Sequence, residues 1–203
     1  MKKFFITIIT IITTITSHAG VDQNIVRQAE QYLNAITGLT GQFTQTANGR
    51  DDTGDFSMLR PGRIRLDYKT LPVQLISNGR DLFFYDRTLD QITTVPLTST
   101  PAGILVRENI NLRTADIEVS ETGSDANTMR VRMHMRNHSG AGNIELIFNK
   151  NPMSLKSWVV IDATGTRTEV VFSNMRVRTD FPRNFFELQR VRTTGASGDA
   201  FFD

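Results

Sequence analysis

"GDFSMLRPGRIRLDY", residues 54–68, alternates as a strand does, stops on an arginine followed by Pro-Gly, and then begins again. Phe56, Met58 and Arg60 share one parity, so in an extended chain their side chains point to the same side. Ile64, Leu66 and Tyr68 restart the pattern after the turn. The stretch reads as a β-hairpin with an apolar face and a cation at the end of that face.

A guanidinium on an apolar face cannot remain unpaired without a large desolvation cost. Carbonyl oxygens at the C-terminal end of a covering helix would satisfy its donors and suit its charge. An Arg60 so placed would latch a lid over an apolar cavity. The alternative at this point is a rim arginine facing water.

Outward from the hairpin the period stays at two. "LTGQFTQT" (39–46), "VQLIS" (73–77), "LFFYD" (82–86) and "QITTV" (91–95) read as strands. So do "DIEVS" (116–120), "TMRVRMHMR" (128–136), "IELIF" (144–148), "LKSWVVI" (155–161) and "TRTEVVFS" (166–173). Turn signals separate the early ones: 48–51, Pro61-Gly62, Asn78-Gly79 and Asp86-Arg87. Asp22 to Thr37 reads as one amphipathic helix, with Ile25, Ala29, Tyr32, Leu33 and Ile36 on a stripe and Gly38 suited to its end. Ser99-Thr100-Pro101 reads as the start of a short helix carrying Ile104, Leu105 and Val106, the predicted lid helix.

About eleven strands with hairpin-length links and few helices predict a mainly β, single antiparallel sheet rather than a parallel α/β fold. So many strands must curl into a sandwich, a barrel or an open half-barrel. A half-barrel leaves a concave apolar face that needs a cover.

Met1-Lys2-Lys3, the uncharged run Phe4 to Ile15 and Ser17-His18-Ala19 have the layout of a secretory signal peptide, residues 1–19, cut after Ala19. The run is shorter than the roughly 20 residues that span a bilayer. Residues 20–203 are then one exported domain. Removing Lys2 and Lys3 from the 23 basic residues leaves 21 against 21 acidic ones, so the charge balance does not point to nucleic acid. With no cysteine, the chain has neither a disulfide nor a lipidated N-terminal cysteine.

Signals of catalysis are thin. The exported chain keeps only His134 and His138, and none of the common nucleophile, zinc or phosphate-loop motifs is present. His138-Ser139-Gly140 sits in "NHSGAGN" (137–143), where Ser and Gly serve as turn formers. No enzyme activity, metal or cofactor is expected. On 128–136 the two faces differ cleanly: Met129, Val131, Met133 and Met135 on one, Arg130, Arg132, His134 and Arg136 on the other. The arginine face is either a solvated outer face or a docking surface for an acidic partner or anionic headgroups. Unbranched thioethers re-pack around varied ligands, so the methionine face is predicted, with Met58, to line a cavity for apolar cargo. The predicted lining is Phe43, Phe56, Met58, Ile64, Leu66, Met129, Val131, Met133 and Met135.

The chain resembles the LolA family, the periplasmic lipoprotein carriers of Gram-negative bacteria. The likeness is densest in "LTGQFTQT", "GDFSMLRPGRIRLDY" and "LISNGRDLFFYDRTLDQITTVPL" (75–97), and extends to Asp162-x-x-Gly165 and "NFFEL" (184–188). It implies an incomplete antiparallel β-barrel lidded by helices and a non-enzymatic monomer. Such a carrier takes acylated lipoproteins from an inner-membrane ABC transporter complex and passes them to an outer-membrane acceptor. The family's lid-bonding arginine falls on Arg60. Ile64 and Leu66 stand where aromatic residues are common in the family. A second reading is a periplasmic lipid-sensing module that binds an anti-sigma factor, though such sensors usually carry a second domain. A lipid-modifying enzyme is disfavoured by the missing catalytic groups. Phe181, Phe185 and Phe186 read as a closing strand of the core, and Phe201-Phe202 as a possible lipid-entering element.

Overall fold

The computed structural model describes residues 20–137, 140 and 142–189. The predicted signal peptide, His138, Ser139 and the tail with Phe201-Phe202 lie outside the described residues. In chain order the elements are α1 (Gln23–Ala35), β1 (Gly38–Ala47), β2 (Arg50–Leu59), β3 (Arg63–Tyr68), β4 (Val73–Asn78), β5 (Asp81–Asp86) and β6 (Gln91–Pro96). A 3-10 turn (Leu97–Ser99) and α2 (Pro101–Leu105) follow. The remainder is β7 (Ile117–Ser124), β8 (Thr128–Met135), β9 (Asn143–Lys150), β10 (Met153–Ile161) and β11 (Arg167–Val177).

All eleven strands form one sheet in the order β6-β5-β4-β3-β2-β1-β11-β10-β9-β8-β7. Every pairing is antiparallel, with β1 and β11 meeting at the centre and β6 and β7 left as edges. The barrel is therefore open, and residues 97–116 cross from one edge to the other. The quoted hairpin is β2–β3, with Met58 opposite Ile64 and Phe56 opposite Leu66.

Alternation places most of the apolar side chains on the concave side, while Ile76, Tyr85 and Val159 are buried on the other parity. Phe56, Trp158 and Phe172 make a floor of three rings, with centroids 4.8 to 5.9 Å apart. Over the β7–β9 half lies α1, which buries Ile25, Val26, Ala29 and Leu33. Asp22 caps it by accepting the Asn24 N–H at 2.8 Å. Gly38 opens β1 instead of ending the helix: a Cβ there would collide with the carbonyl oxygen of Arg178, the residue that follows β11. Thr100 caps α2 as expected, accepting the Gly103 N–H at 3.3 Å, with Pro101 in the first turn.

The C-terminal phenylalanines differ from the sequence reading. Residues 178–189 form no strand and lie outside the half-barrel. Phe181, Phe185 and Phe186 cluster with one another at 4.9–5.0 Å, and Arg65 donates to the Phe185 carbonyl oxygen at 2.6 Å. Arg65 shares its parity with Arg63, on the convex side of β3, and both guanidiniums face phenylalanine rings. Alternation alone could not separate a strand from a strap that covers an outer face.

Candidate functional site

The lid has two pieces, joined to each other before either meets the sheet. Asn34 of α1 donates to the Ile110 carbonyl oxygen at 2.8 Å and accepts the Ile110 N–H at 2.9 Å. One turn earlier on the helix, Glu30 accepts the Leu112 N–H at 2.8 Å and pairs with Arg113. At the other end of the crossing segment Arg107 pairs with Asp116 at 2.5 Å, and this hydrogen bond holds the Asp116 carboxyl down at about 2.

The turn that ends β2 holds both pieces. Arg60 donates from Nη2 to the carbonyl oxygen of Leu33, in the last turn of α1, and from its backbone N–H to Thr37 at 2.8 Å. Gly62 donates its N–H to the Val106 carbonyl oxygen at 2.6 Å, just past the end of α2. Arg60 is only 8 % exposed, and among the described residues its Nε has no hydrogen-bond partner. Burial alone draws its pKa down to about 10. A cation at a helix C-terminus is favourably placed, but this one is incompletely satisfied.

Beneath the turn, Ser77 of β4 is fully buried; its hydroxyl donates to the Gly62 carbonyl oxygen at 2.8 Å and accepts the Gly79 N–H at 3.3 Å. Gly62 and Gly79 both have positive φ and approach so closely that a Cβ on Gly62 would lie 2.5 Å from the Gly79 Cα. The Pro-Gly and Asn-Gly turns that are separate in the sequence are thus one joint in space.

Two apolar spaces lie under the lid. The first, bordered by Leu33, Ile36, Phe56, Met58, Arg60, Leu105 and Trp158 among others, has room for only about 10 Å³. The second is a cleft of about 230 Å³ whose walls include Ile64, Leu66, Tyr68, Leu75, Leu82, Ile144, Trp158, Val160 and Val170. Tyr68 donates to Gln45 at 2.7 Å in that cleft, and burial, helped by the charge of Asp52, pushes its pKa up to about 12. Pockets for drug-sized ligands hold roughly 300–1,000 Å³. Both spaces under the lid are smaller than that.

Of the residues predicted to line a cavity, Phe56, Met58 and Ile64 border the first space, and Ile64 and Leu66 the second. Phe43 is buried edge-on against Tyr68 at 5.0 Å. Met129, Val131, Met133 and Met135 are buried but border neither space, because β8 lies where α1 packs on the sheet. Ile104 and Leu105 are buried on α2, and Val106 is the buried residue that ends it. Arg130 pairs with Glu121, Arg132 with Glu121 and Glu145, and Arg136 with Glu118, so the arginine face is charge-balanced across three strands. Sequence reasoning missed Trp158, Val160 and Val170. Trp158 and Val160 share a parity, but "WVV" is apolar on both faces, which hides the alternation.

With the half-barrel, its two-piece lid and the buried arginine described, comparison with known proteins gives the family. Residues 34–189 match the family model described as outer membrane lipoprotein carrier protein LolA. The chain belongs to the LolA family. Its relatives include the outer-membrane lipoprotein carrier protein of Neisseria gonorrhoeae, 28% identical over 183 residues, covering 83% of this chain and 84% of the relative. That of Legionella pneumophila is 27% identical over 202 residues, covering 93% and 95%. Among solved structures, a DUF1329-family protein from Desulfovibrio piger superposes with a TM-score of 0.51 at 8% identity, covering 81% of this chain and 95% of that one, a likeness of fold alone. In this LolA-family chain Arg60, Leu33, Gly62 and Val106 are the residues that join lid to sheet.

Proposed function

We propose that this chain is a periplasmic carrier that shields the acyl chains of lipoproteins between the inner and outer membranes, with no catalytic step and no cofactor. Residues 1–19 direct export, and residues 20–203 act as one carrier domain. The observation that carries the reading is the lid held by a buried, incompletely satisfied Arg60 over a curved apolar face. Cargo entering beneath the lid displaces the Arg60–Leu33 bond, so binding is weakened and release is eased. The sequence carries no common phosphate-loop motif, and loading draws its energy from the donor, an inner-membrane ABC transporter complex. Delivery to an outer-membrane acceptor follows from that acceptor's tighter hold on the acyl chains.

The test is to isolate the protein from the periplasm of a Gram-negative host and analyse bound species by mass spectrometry. Acylated lipoprotein should co-purify with it. Recovery of lipid-free protein under every loading condition, including incubation with lipoprotein-charged inner membranes, would overturn the carrier reading.

A further inference from the structure

The two free edges of the sheet are built differently. β7 carries Glu118 and Glu121, breaks register between Val119 and Glu121, and has the Asp22 N–H on its Thr122 hydroxyl at 2.7 Å. Charge, a bulge and a cover are the usual means of keeping an edge strand from pairing with another chain. β6 has none of these along Gln91–Val95; only Pro96 stops it. Its register with β5 is unbroken, it holds no charge, four of its six residues are β-branched, and all but Ile92 are exposed. Among the described residues it pairs with β5 alone.

The concave side of this edge is apolar and open. Phe84 is 43 % exposed and Val95 is 37 % exposed. Phe84 stands opposite Leu75, and Val95 opposite Leu82, the two residues by which β4 and β5 wall the larger cleft. Phe84 and Val95 thus extend the apolar face of the cleft beyond Leu75 and Leu82, towards an edge with unpaired backbone.

We propose that β6 accepts an added strand from the cargo, the extended peptide that follows the acylated residue. This rests on the carrier reading of the cleft. Acyl chains lodged there are covalently tied to a peptide, and the exposed apolar surface of Phe84 and Val95 leads that peptide out beside β6. Tethering raises its effective concentration at the edge, so even a weak pairing registers. Strand addition draws its affinity from main-chain hydrogen bonds, and an edge that reads backbone accepts varied peptide sequences.

The test compares three synthetic triacylated lipopeptides on the full mature chain. The first has two residues after the acylated cysteine, the second an uncharged ten-residue extension, and the third that extension N-methylated at alternate residues. We expect the second to bind about tenfold more tightly than the first, a difference of about 1.4 kcal/mol, and the third to fall back to the first. Amide exchange over residues 91–96 should slow only with the second. Equal affinity of the first two, with exchange at 91–96 unchanged, overturns the strand proposal and leaves the carrier reading standing. Failure of all three to bind overturns both. Concentration-dependent protection of 91–96 in the protein alone would assign the edge to a second copy of this chain and also overturn the proposal.

Discussion

The backbone N–H of Gly62 donates to the carbonyl oxygen of Val106 at 2.6 Å, two residues beyond the arginine that reaches Leu33. One turn of the sheet thereby holds α1 through a side chain and the α2 segment through the backbone. Because Asn34 and Ile110 already join those two pieces, we expect the lid to move as a unit and to release at the Arg60–Gly62 turn.

Replacing Arg60 with Leu removes the charge-assisted bond to Leu33, of a kind worth roughly 1.5–3 kcal/mol, and relieves the burial of an incompletely satisfied cation. Arg60→Leu should fold, accept lipoprotein and retain it, failing in transfer to the outer-membrane acceptor. Arg60→Lys should be milder, keeping the charge but losing the planar fork. Transfer at matched loading is the measurement; parental release by Arg60→Leu would reduce Arg60 to a packing residue.

Ser77→Ala should loosen the same joint from below. It leaves the Gly79 N–H without its acceptor and the Gly62 carbonyl oxygen without the serine donor, a loss of about 1–3 kcal/mol for a buried group. Urea unfolding should show the lost stability, and an apolar fluorescent dye should bind more readily. The dye effect should be smaller in an Arg60→Leu background, where α1 has already lost its side-chain bond to the turn. A stability loss of equal size in both backgrounds, with dye binding unchanged, would make Ser77 purely structural.

Met133 and Leu82 should respond oppositely. Met133 is fully buried on the strand beneath α1, so Met133→Ala should cost about 2–5 kcal/mol of stability. The half-buried Leu82 lines the open cleft. Leu82→Glu should stay within about 1 kcal/mol of the parent in stability yet lose acyl-probe binding. If Met133→Ala instead weakened acyl binding without destabilising the fold, the methionine face would belong to the cargo space after all.

Acid should weaken one lid tether. Arg107 holds Asp116 at about 2, below the ordinary 3.8 of a free carboxyl. A depressed carboxyl stabilises the folded state above its unfolded pKa and loses that contribution as pH falls through the folded value. The pair should therefore act fully above pH 3.8 and fade towards pH 2, an effect absent from Asp116→Asn. Exchange rates over residues 107–116, compared in the two proteins between pH 4.5 and 2, check it.

Most of the architecture was legible because alternation is a local signal. The second half of the quoted hairpin ends at Tyr68 in β3 as in the sequence reading, and the other strands differ from theirs by only a few residues at their ends. For Arg60 parity left a buried latch and a rim cation both open, and only the family resemblance favoured the latch. The kind of partner, a carbonyl at the end of a covering helix, could be named, but not that Leu33 supplies it, since every residue carries a backbone carbonyl. The methionine face showed the limit of parity, which says which side of the sheet a residue occupies but not whether a helix or a void lies above it. Phe181, Phe185 and Phe186 showed another, because aromatic spacing does not reveal that arginines on an outer face will receive the rings.

The seam between β1 and β11 also bears on how the chain reaches this state. β1 to β6 are successive hairpins, as are β7 to β11, and each half can assemble from neighbours in sequence. Joining them requires Leu39 to meet Val177, near opposite ends of the described chain. Long-range closure carries an entropy loss that local hairpins avoid and slows folding. We expect two half-sheets to form first and the central seam last, with unpaired β1 and β11 exposed in the interval. Pulsed amide exchange during refolding would show it, with protection inside each half preceding protection at 39–47 and 170–177. Simultaneous protection across the seam would rule out this order of assembly.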